Sequence, residues 1–249
     1  MILSDPRNPK AMALAAELAA RLPSEWEPAV NVVLGGDGFM LNAVETHGTA
    51  RPFLGLNSGY LGFLMNDVDV SLDALVDRLV QAEWRISRFP LLEGRIVRTD
   101  GELVTVQAMN DIYLQRESGL AARLRLTVDG REVVDSLGCD GIVVATALGS
   151  TAYSYSAGGT PLHPAVEAML VTPICPHRPR LSPVALPSNA RVVVEVLDSD
   201  RRPVCAMADG RQVASIEQVE VRYGDEAVEL AFFEDHDFTA HLIDKILKP

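Results

Sequence analysis

The stretch Ala29-Val30-Asn31-Val32-Val33-Leu34-Gly35-Gly36-Asp37-Gly38-Phe39 changes character in its middle, where an apolar, β-branched run stops at three glycines set around one carboxylate. A short run of that kind closed by glycine reads as a strand entering a tight turn, and Phe39 to Thr46 then regains helical character. Strand, Gly-rich turn and helix make one α/β unit. Upstream, Asn8 to Leu22 is rich in Ala and Leu with Arg and Glu interspersed, which predicts an amphipathic helix ended by Pro23. Downstream, Pro52 to Leu56 predicts a second strand, Asn57-Ser58-Gly59 a turn, and Ser71 to Gln81 a helix.

Strands alternating with helices predict a Rossmann-like parallel sheet with ligands at the carboxyl ends of its strands. Around Trp84 the period changes. From Arg85 to Leu114 and from Arg123 to Asp135 the pattern is alternation, with Leu124, Leu126 and Val128 apolar between polar neighbours and Asp129-Gly130 supplying hairpin turn chemistry. Arg191 to Leu197 and Gln218 to Tyr223 continue it, and Ala240 to Leu247 suggests a closing helix. The expected organisation is an α/β domain over 1–88, rejoined by a C-terminal helix at about 232–249, and a mainly-β domain, a β-sandwich, over 89–231.

Composition narrows the function classes. The chain has 249 residues, 48% hydrophobic and 22% charged, enough for one large or two small cores. A net charge of −12 argues against holding nucleic acid through its phosphates. Cys139, Cys175 and Cys205 lie far apart without C-x-x-C spacing, so neither a disulfide framework nor a zinc site is expected and a reducing cytoplasm fits. No segment reaches the roughly 18 apolar residues of a membrane span, so no membrane partner is expected.

Three segments carry candidate chemistry. In Gly35-Gly36-Asp37-Gly38, glycines let main-chain amides approach a phosphate closely, and the helix that follows favours an anion at its start. Asp37 would repel that anion unless a metal or hydroxyl lies between them, which marks it as chemical; an ordinary turn with Asp as cap is the alternative. The second segment, Asp140-Gly141 followed by an apolar strand and by Gly149-Ser150-Thr151-Ala152-Tyr153-Ser154-Tyr155-Ser156, crowds hydroxyls and small residues into one loop suited to a sugar or phosphate. Hydroxyl-rich turns without a ligand also exist. In the third, Asn110-Asp111 interrupts a strand-like run; it suits an adenine edge or ribose diol, and a β-bulge or turn is the bland reading.

Taken in order, G-G-D-G at 35–38, Asn57-x-Gly59-x-Leu61-Gly62-Phe63, Asn110-Asp111, Asp140-Gly141 and Gly149-Ser150-Thr151-Ala152-Tyr153 resemble the bacterial NAD kinase family across nearly the whole chain. The resemblance implies phosphoryl transfer from ATP or polyphosphate to the adenosine ribose 2′-hydroxyl of NAD, with Mg²⁺ or another divalent metal as cofactor, in a cytoplasmic homodimer or homotetramer. It implies Asp37 as the catalytic carboxylate and Gly35, Gly36 and Gly38 at phosphate. It further implies Asn57, Phe63, Asn110, Asp111, Asp140, Thr151, Ala152, Tyr153, Ser156, Asp209 and Gly210 around the substrates, with Cys175 contributed from a neighbouring subunit. Metal ligands are not assigned. No Walker A lysine and no protein-kinase motif set is present.

Several positions depart from the family pattern. Asp111 stands for the usual Glu and is one methylene shorter, Ala147-Leu148 replaces a proline and a hydroxyl residue, and Phe39, where many relatives have Thr, is a candidate modulator of donor choice. These departures motivate one rival, a non-catalytic dinucleotide-binding relative; a diacylglycerol-type lipid kinase sharing only the acidic glycine turn is another. His163 and His177, flanked by prolines near the site segments, read as loop or interface residues, His47, His236 and His241 show no partner pattern, the cysteines read as small buried hydrophobes, Ser150 and Ser154 lack a G-x-S-x-G setting, and Asp67, Asp69, Asp73 and Asp77 read as a solvated helix start and face.

Overall fold

The Ala/Leu-rich stretch after Asn8 folds as a helix because both of its ends are specified locally. In the computed structural model, which describes residues 1–58 and 62–248, Asn8 caps α1 (Pro9–Arg21) by accepting from the Lys10 and Ala11 amides, with Pro9 in the first turn. Contacts divide the chain into two compact units, Met1–Phe89 with Glu226–Pro249, and Pro90–Asp225.

In the first unit, β1 (Ile2–Ser4), β2 (Asn31–Gly35) and β3 (Phe53–Asn57) lie parallel, with Val32 opposite Leu54 and Gly35 opposite Asn57. Val32, Leu34, Leu54 and Leu56 pack with Ala11 and Leu18 of α1 and with Leu75 and Leu79 of α3 (Leu72–Gln81). Gly55 points to the other face, where a Cβ would come within 2.7 Å of Met40 on α2 (Asp37–His47). The helix expected from Phe39 thus starts two residues earlier. Gly36 is extended and its carbonyl accepts from the Met40 amide at 3.1 Å, so Asp37 and Gly38 form the first turn of α2 instead of a preceding loop.

The chain leaves this unit within β4 (Trp84–Arg98) and builds the second from β5 (Leu103–Ala108), β6 (Asp111–Arg116), β7 (Ala122–Val128), β8 (Arg131–Cys139) and β9 (Gly141–Thr146). A 3-10 turn (Leu148–Thr151) and the short α4 (Tyr153–Ser156) follow, then β10 (Ala168–Ile174), β11 (Val184–Pro187), β12 (Val192–Val196), β13 (Val204–Ala208), β14 (Arg211–Val213) and β15 (Ile216–Phe233). One sheet runs β11-β10-β9-β6-β13-β14; against it lie β8-β7-β12 with the first half of β15, and β4 with β5. Their shared core interleaves Leu124, Leu126, Val192 and Val194 with Ile112, Leu114, Ile142, Val144, Met169 and Val171, the two-sheet arrangement that alternation from Arg123 predicts. At the expected hairpin, Asp129 and Gly130 both have positive φ, 49° and 74°.

The end of β15 returns to the first unit, where Leu230 and Ala231 pair in parallel with Phe53 and Leu54 of β3. The closing helix α5 (Phe238–Leu242) begins earlier than its apolar pattern suggests because Asp237 caps it, and it continues as a π-helical turn over Ile243–Leu247.

Candidate functional site

In the first unit the carboxyl ends of β2 and β3 lie side by side, held by the Ser58 amide donating to the Gly35 carbonyl at 2.9 Å. Gly36 and Gly38 follow directly. A Cβ on either would meet nothing within 4 Å, and Gly36 has an extended backbone open to any residue. Neither packing nor dihedrals demand glycine at these two positions, so what they keep clear is space beside the first amides of α2, which have no partner inside the helix. Gly35 differs: a Cβ there would lie 3.1 Å from Phe39, whose ring folds back over it.

Asp37 does not cap its own helix. Its carboxylate accepts from the Phe63 amide at 2.8 Å and the Leu64 amide at 3.1 Å, so the N-x-G-x-L-G-F segment holds the acid of G-G-D-G. Gly59 and Leu61 of that segment lie outside the described residues. Burial raises the Asp37 pKa above the usual carboxylate range, while the Phe63 and Leu64 amides, then the charge of Lys245, oppose the rise. Two amides occupy two of the carboxylate's acceptor sites and leave others for a hydroxyl.

The acidic side chain of Asp67 departs from expectation. It accepts from the Asn57 side chain at 3.2 Å and pairs with His241 at 3.3 Å and Lys245 at 3.8 Å. It is solvated, as expected, but belongs to a polar cluster beside the Asp37 segment and lies ahead of α3 instead of on its face. His241 gains a partner that no sequence spacing announced, since the two residues stand 174 positions apart in a chain of 249. His236 packs on His241 with ring centroids 4.4 Å apart, and burial first, then His241, pulls its pKa down to about 4.

The second unit gathers Asn110, Asp111, Tyr153, Asp209 and Gly210. Asp209 and Gly210 form the turn from β13 to β14 with φ of 45° and 94°, and the Asp209 carboxylate accepts from three successive amides, Met109 at 2.5 Å, Asn110 at 3.0 Å and Asp111 at 3.2 Å. This explains the polar interruption after Met109: the chain turns there around a carboxylate. Asp111 begins β6 and is only 5% exposed. Its pKa is pushed up to about 7 by burial first and by the negative charge of Asp209 second, with the Tyr153 amide acting the other way.

Thr146, at the end of β9, ties this turn to the hydroxyl-rich loop by donating to the Met109 carbonyl at 2.8 Å and accepting from the Gly149 amide at 2.9 Å. Gly149 is obligatory, because a Cβ would sit 2.1 Å from the Asn110 carbonyl oxygen. Tyr153 stacks edge-on against Tyr113 at 4.7 Å, and its phenol is held above its ordinary pKa by burial first, then by Cys175, Asp111 and Asp140. Asp140 is itself oriented by Arg116 at 2.6 Å. Thr151 closes the 3-10 turn through the Leu148 carbonyl, Ala152 caps it, and Ser156 is exposed on α4. Cys175 corrects the expectation for cysteines: Cys139 and Cys205 are buried, whereas Cys175 is exposed with φ of 45°. Ser150 and Ser154 are buried and spent on structure, the first on Ala147 and Leu162, the second on Thr172. Sequence reasoning missed Thr146, Arg116 and Lys245 as site-shaping residues.

An anion-ready helix start with a half-buried carboxylate in one unit, and a cluster of acids, an amide and a tyrosine in the other, fit a nucleotide-using phosphotransferase of mixed α/β and β-sandwich build. Residues 109–231 match the ATP-NAD kinase C-terminal domain. The NAD kinase of Rhizobium meliloti (strain 1021) is 41% identical over 194 residues, 77% of this chain and 74% of that protein; that of Cereibacter sphaeroides (strain ATCC 17025 / ATH 2.4.3) is 43% identical over 198 residues, 79% and 76%. The crystal structure of yeast NADH kinase complexed with NADH superposes with a TM-score of 0.78 at 28% identity, covering 88% of this chain and 65% of that one. An NAD kinase from Archaeoglobus fulgidus in complex with ATP shares the fold, with a TM-score of 0.77 at 24% identity over 99% of this chain and 97% of that one. The chain belongs to the NAD kinase family.

Proposed function

We propose that this chain transfers the terminal phosphoryl group of ATP, or of polyphosphate, to the adenosine ribose 2′-hydroxyl of NAD, producing NADP. The observation that carries the proposal is Asp37: a half-buried carboxylate of raised pKa, fixed by two main-chain amides, in the first turn of a helix whose flanking glycines leave open space. A sugar hydroxyl is a weak nucleophile. A carboxylate that orients it and takes its proton as the phosphoryl group moves is worth about 10²- to 10⁴-fold in rate. Gly35, Gly36 and Gly38 then serve the donor phosphates through main-chain amides, with Asn57 and Phe63 shaping the same side.

In the second unit, Asn110 offers a donor and acceptor together, and Asp111, Asp209 and Asp140 offer acceptors for ribose and amide donors of NAD. Thr151, Ala152, Tyr153 and Ser156 line the loop beside them, and Gly210 permits the turn that presents Asp209. The reading assigns phosphate chemistry to the α/β domain and dinucleotide binding to the β-rich one, and it requires the ribose to reach Asp37 in turnover.

Among the described residues, no three His, Cys, Asp or Glu side chains converge on a metal position. The residues therefore do not form a protein cage for Mg²⁺, which would come instead on the donor phosphates with its own waters; no step here is routed through it. We further propose a cytoplasmic homodimer or homotetramer in which exposed Cys175 meets a neighbouring subunit. Three unpaired thiols fit that compartment, and among the described residues no helix is long and apolar enough to cross a membrane.

The test supplies purified protein with NAD, magnesium and either ATP or polyphosphate, and reads NADP through an NADP-specific dehydrogenase. Product is expected with at least one donor. Tight NAD binding with no product under either donor identifies a binding-only relative.

A further inference from the structure

Lys245 is a mostly buried cation from the far end of the chain. Its side chain is 14% exposed, and its ammonium donates to the Gly62 carbonyl at 2.6 Å. The Gly62 carbonyl and the Phe63 N–H are the two ends of one planar trans peptide. Lys245 grips one end of that plate, and the Asp37 carboxylate receives the other at 2.8 Å. A cation on the carbonyl oxygen fixes the rotation of the plate and polarises it, which strengthens the N–H as a donor.

We propose that Lys245 is a positioning residue for Asp37, acting through the Gly62–Phe63 peptide to hold and aim the carboxylate for the incoming hydroxyl.

The rest of the local structure serves the same grip. Gly62 is required where it stands, because a Cβ there would lie 3.1 Å from Asp37 Oδ1 and 3.0 Å from the Met65 side chain. The ammonium is held from its other sides by Asp67 Oδ1 at 3.8 Å and His241 Nδ1 at 3.5 Å, and it lies 5.7 Å from the Phe63 ring centroid. The charged and titratable groups facing it are thus Asp37, Asp67 and His241, with His236 behind His241 and Arg85 donating to the His236 carbonyl. The charge of Lys245 also opposes the rise that burial imposes on the Asp37 pKa. The terminal helix thereby makes the catalytic acid depend on residues more than 200 positions away in the 249-residue chain.

This inference rests on Asp37 acting as the base, so the experiment reads the carboxylate separately from turnover. Wild type, Lys245→Met and Lys245→Arg are labelled with ¹³C at aspartate carboxyls, Asp37 is assigned with Asp37→Asn, and the Asp37 titration is followed alongside the pH dependence of kcat. Lys248→Met, which removes an exposed cation paired with Asp244, is the control. In Lys245→Met the Asp37 titration and the acid limb of kcat should both move up by about one pH unit. Turnover should then fall about tenfold below the limb and recover towards wild type at high pH. KM for NAD should stay within a few-fold, and Lys245→Arg should restore most of the effect. An Asp37 titration unchanged in folded Lys245→Met overturns the proposal, and Lys245→Gln takes the same reading should the Met variant not fold. A titration that moves while the kcat limb stays put leaves the hold of Lys245 standing and removes Asp37 from the chemistry.

Discussion

Replacing Asp111 with Asn should make the protein gain stability as the pH rises. The Asp111 carboxyl passes from an ordinary pKa of 3.8 to about 7 on folding, because it is buried and faces Asp209. A carboxyl whose pKa is raised by folding destabilises the fold once the unfolded chain can ionise and the folded one cannot. The cost begins near pH 4 and grows until the pH passes 7. At about 1.4 kcal/mol per unit, this group alone costs about 4 kcal/mol above pH 7. Asn keeps the acceptor facing the Tyr153 amide and never ionises. Relative to wild type, Asp111→Asn should therefore gain about 2 to 3 kcal/mol between pH 5 and pH 8, whatever constant offset the new amide brings. Urea denaturation of both proteins at pH 5, 6, 7 and 8 measures the difference directly, and taking the difference cancels the titrating groups that do not interact with Asp111. A gap that does not change with pH would refute the reasoning, because it would mean that Asp111 is ionised normally in the folded state.

Two glycines should respond in opposite ways. Gly38→Ala places a methyl group in the first turn of α2 where nothing lies within 4 Å; it should raise stability by up to about 0.5 kcal/mol, the low end of a Gly→Ala change in a helix, while raising KM for the phosphoryl donor several-fold, as read by thermal melts and steady-state kinetics. Gly149→Ala drives a Cβ to 2.1 Å from the Asn110 carbonyl oxygen and to 2.4 and 2.5 Å from its carbonyl carbon and Cα, backbone atoms and not the end of a flexible side chain. It should cost about 3 kcal/mol or more and abolish NAD binding by calorimetry.

The fold was legible wherever local chemistry decides it. Asn8 and Ser71 mark helix starts by capping, Asp129-Gly130 marks a hairpin, and the alternation from Arg123 to Asp135 marks one face of a sandwich. The site was legible where it is made of consecutive residues, as at Gly35 to Gly38 and along Gly149 to Tyr153. What the sequence hides is contact over long separations. Asp37 reaches the Phe63 and Leu64 amides, Asp209 gathers three amides 98 to 100 positions earlier, and Lys245 reaches Gly62 across 183. A lysine near a chain end has no pattern that sets it apart from a solvated one; only the return of β15 beside β3 brings its helix to the segment that holds Asp37. Asp67 misled for the same reason, since its partners Asn57, His241 and Lys245 come together only after the parallel strands have assembled.

The measurement that bears most directly on the account is the turnover of Asp37→Asn beside its affinity for NAD, both taken on folded protein. Asn preserves size and can still accept from one of the two amides, but it cannot take a proton. NAD affinity should stay within a few-fold of wild type while kcat falls by about 10² or more, the scale of losing a general base. Near-normal turnover would contradict the central claim and leave Asp37 as a structural anchor for the Phe63–Leu64 turn.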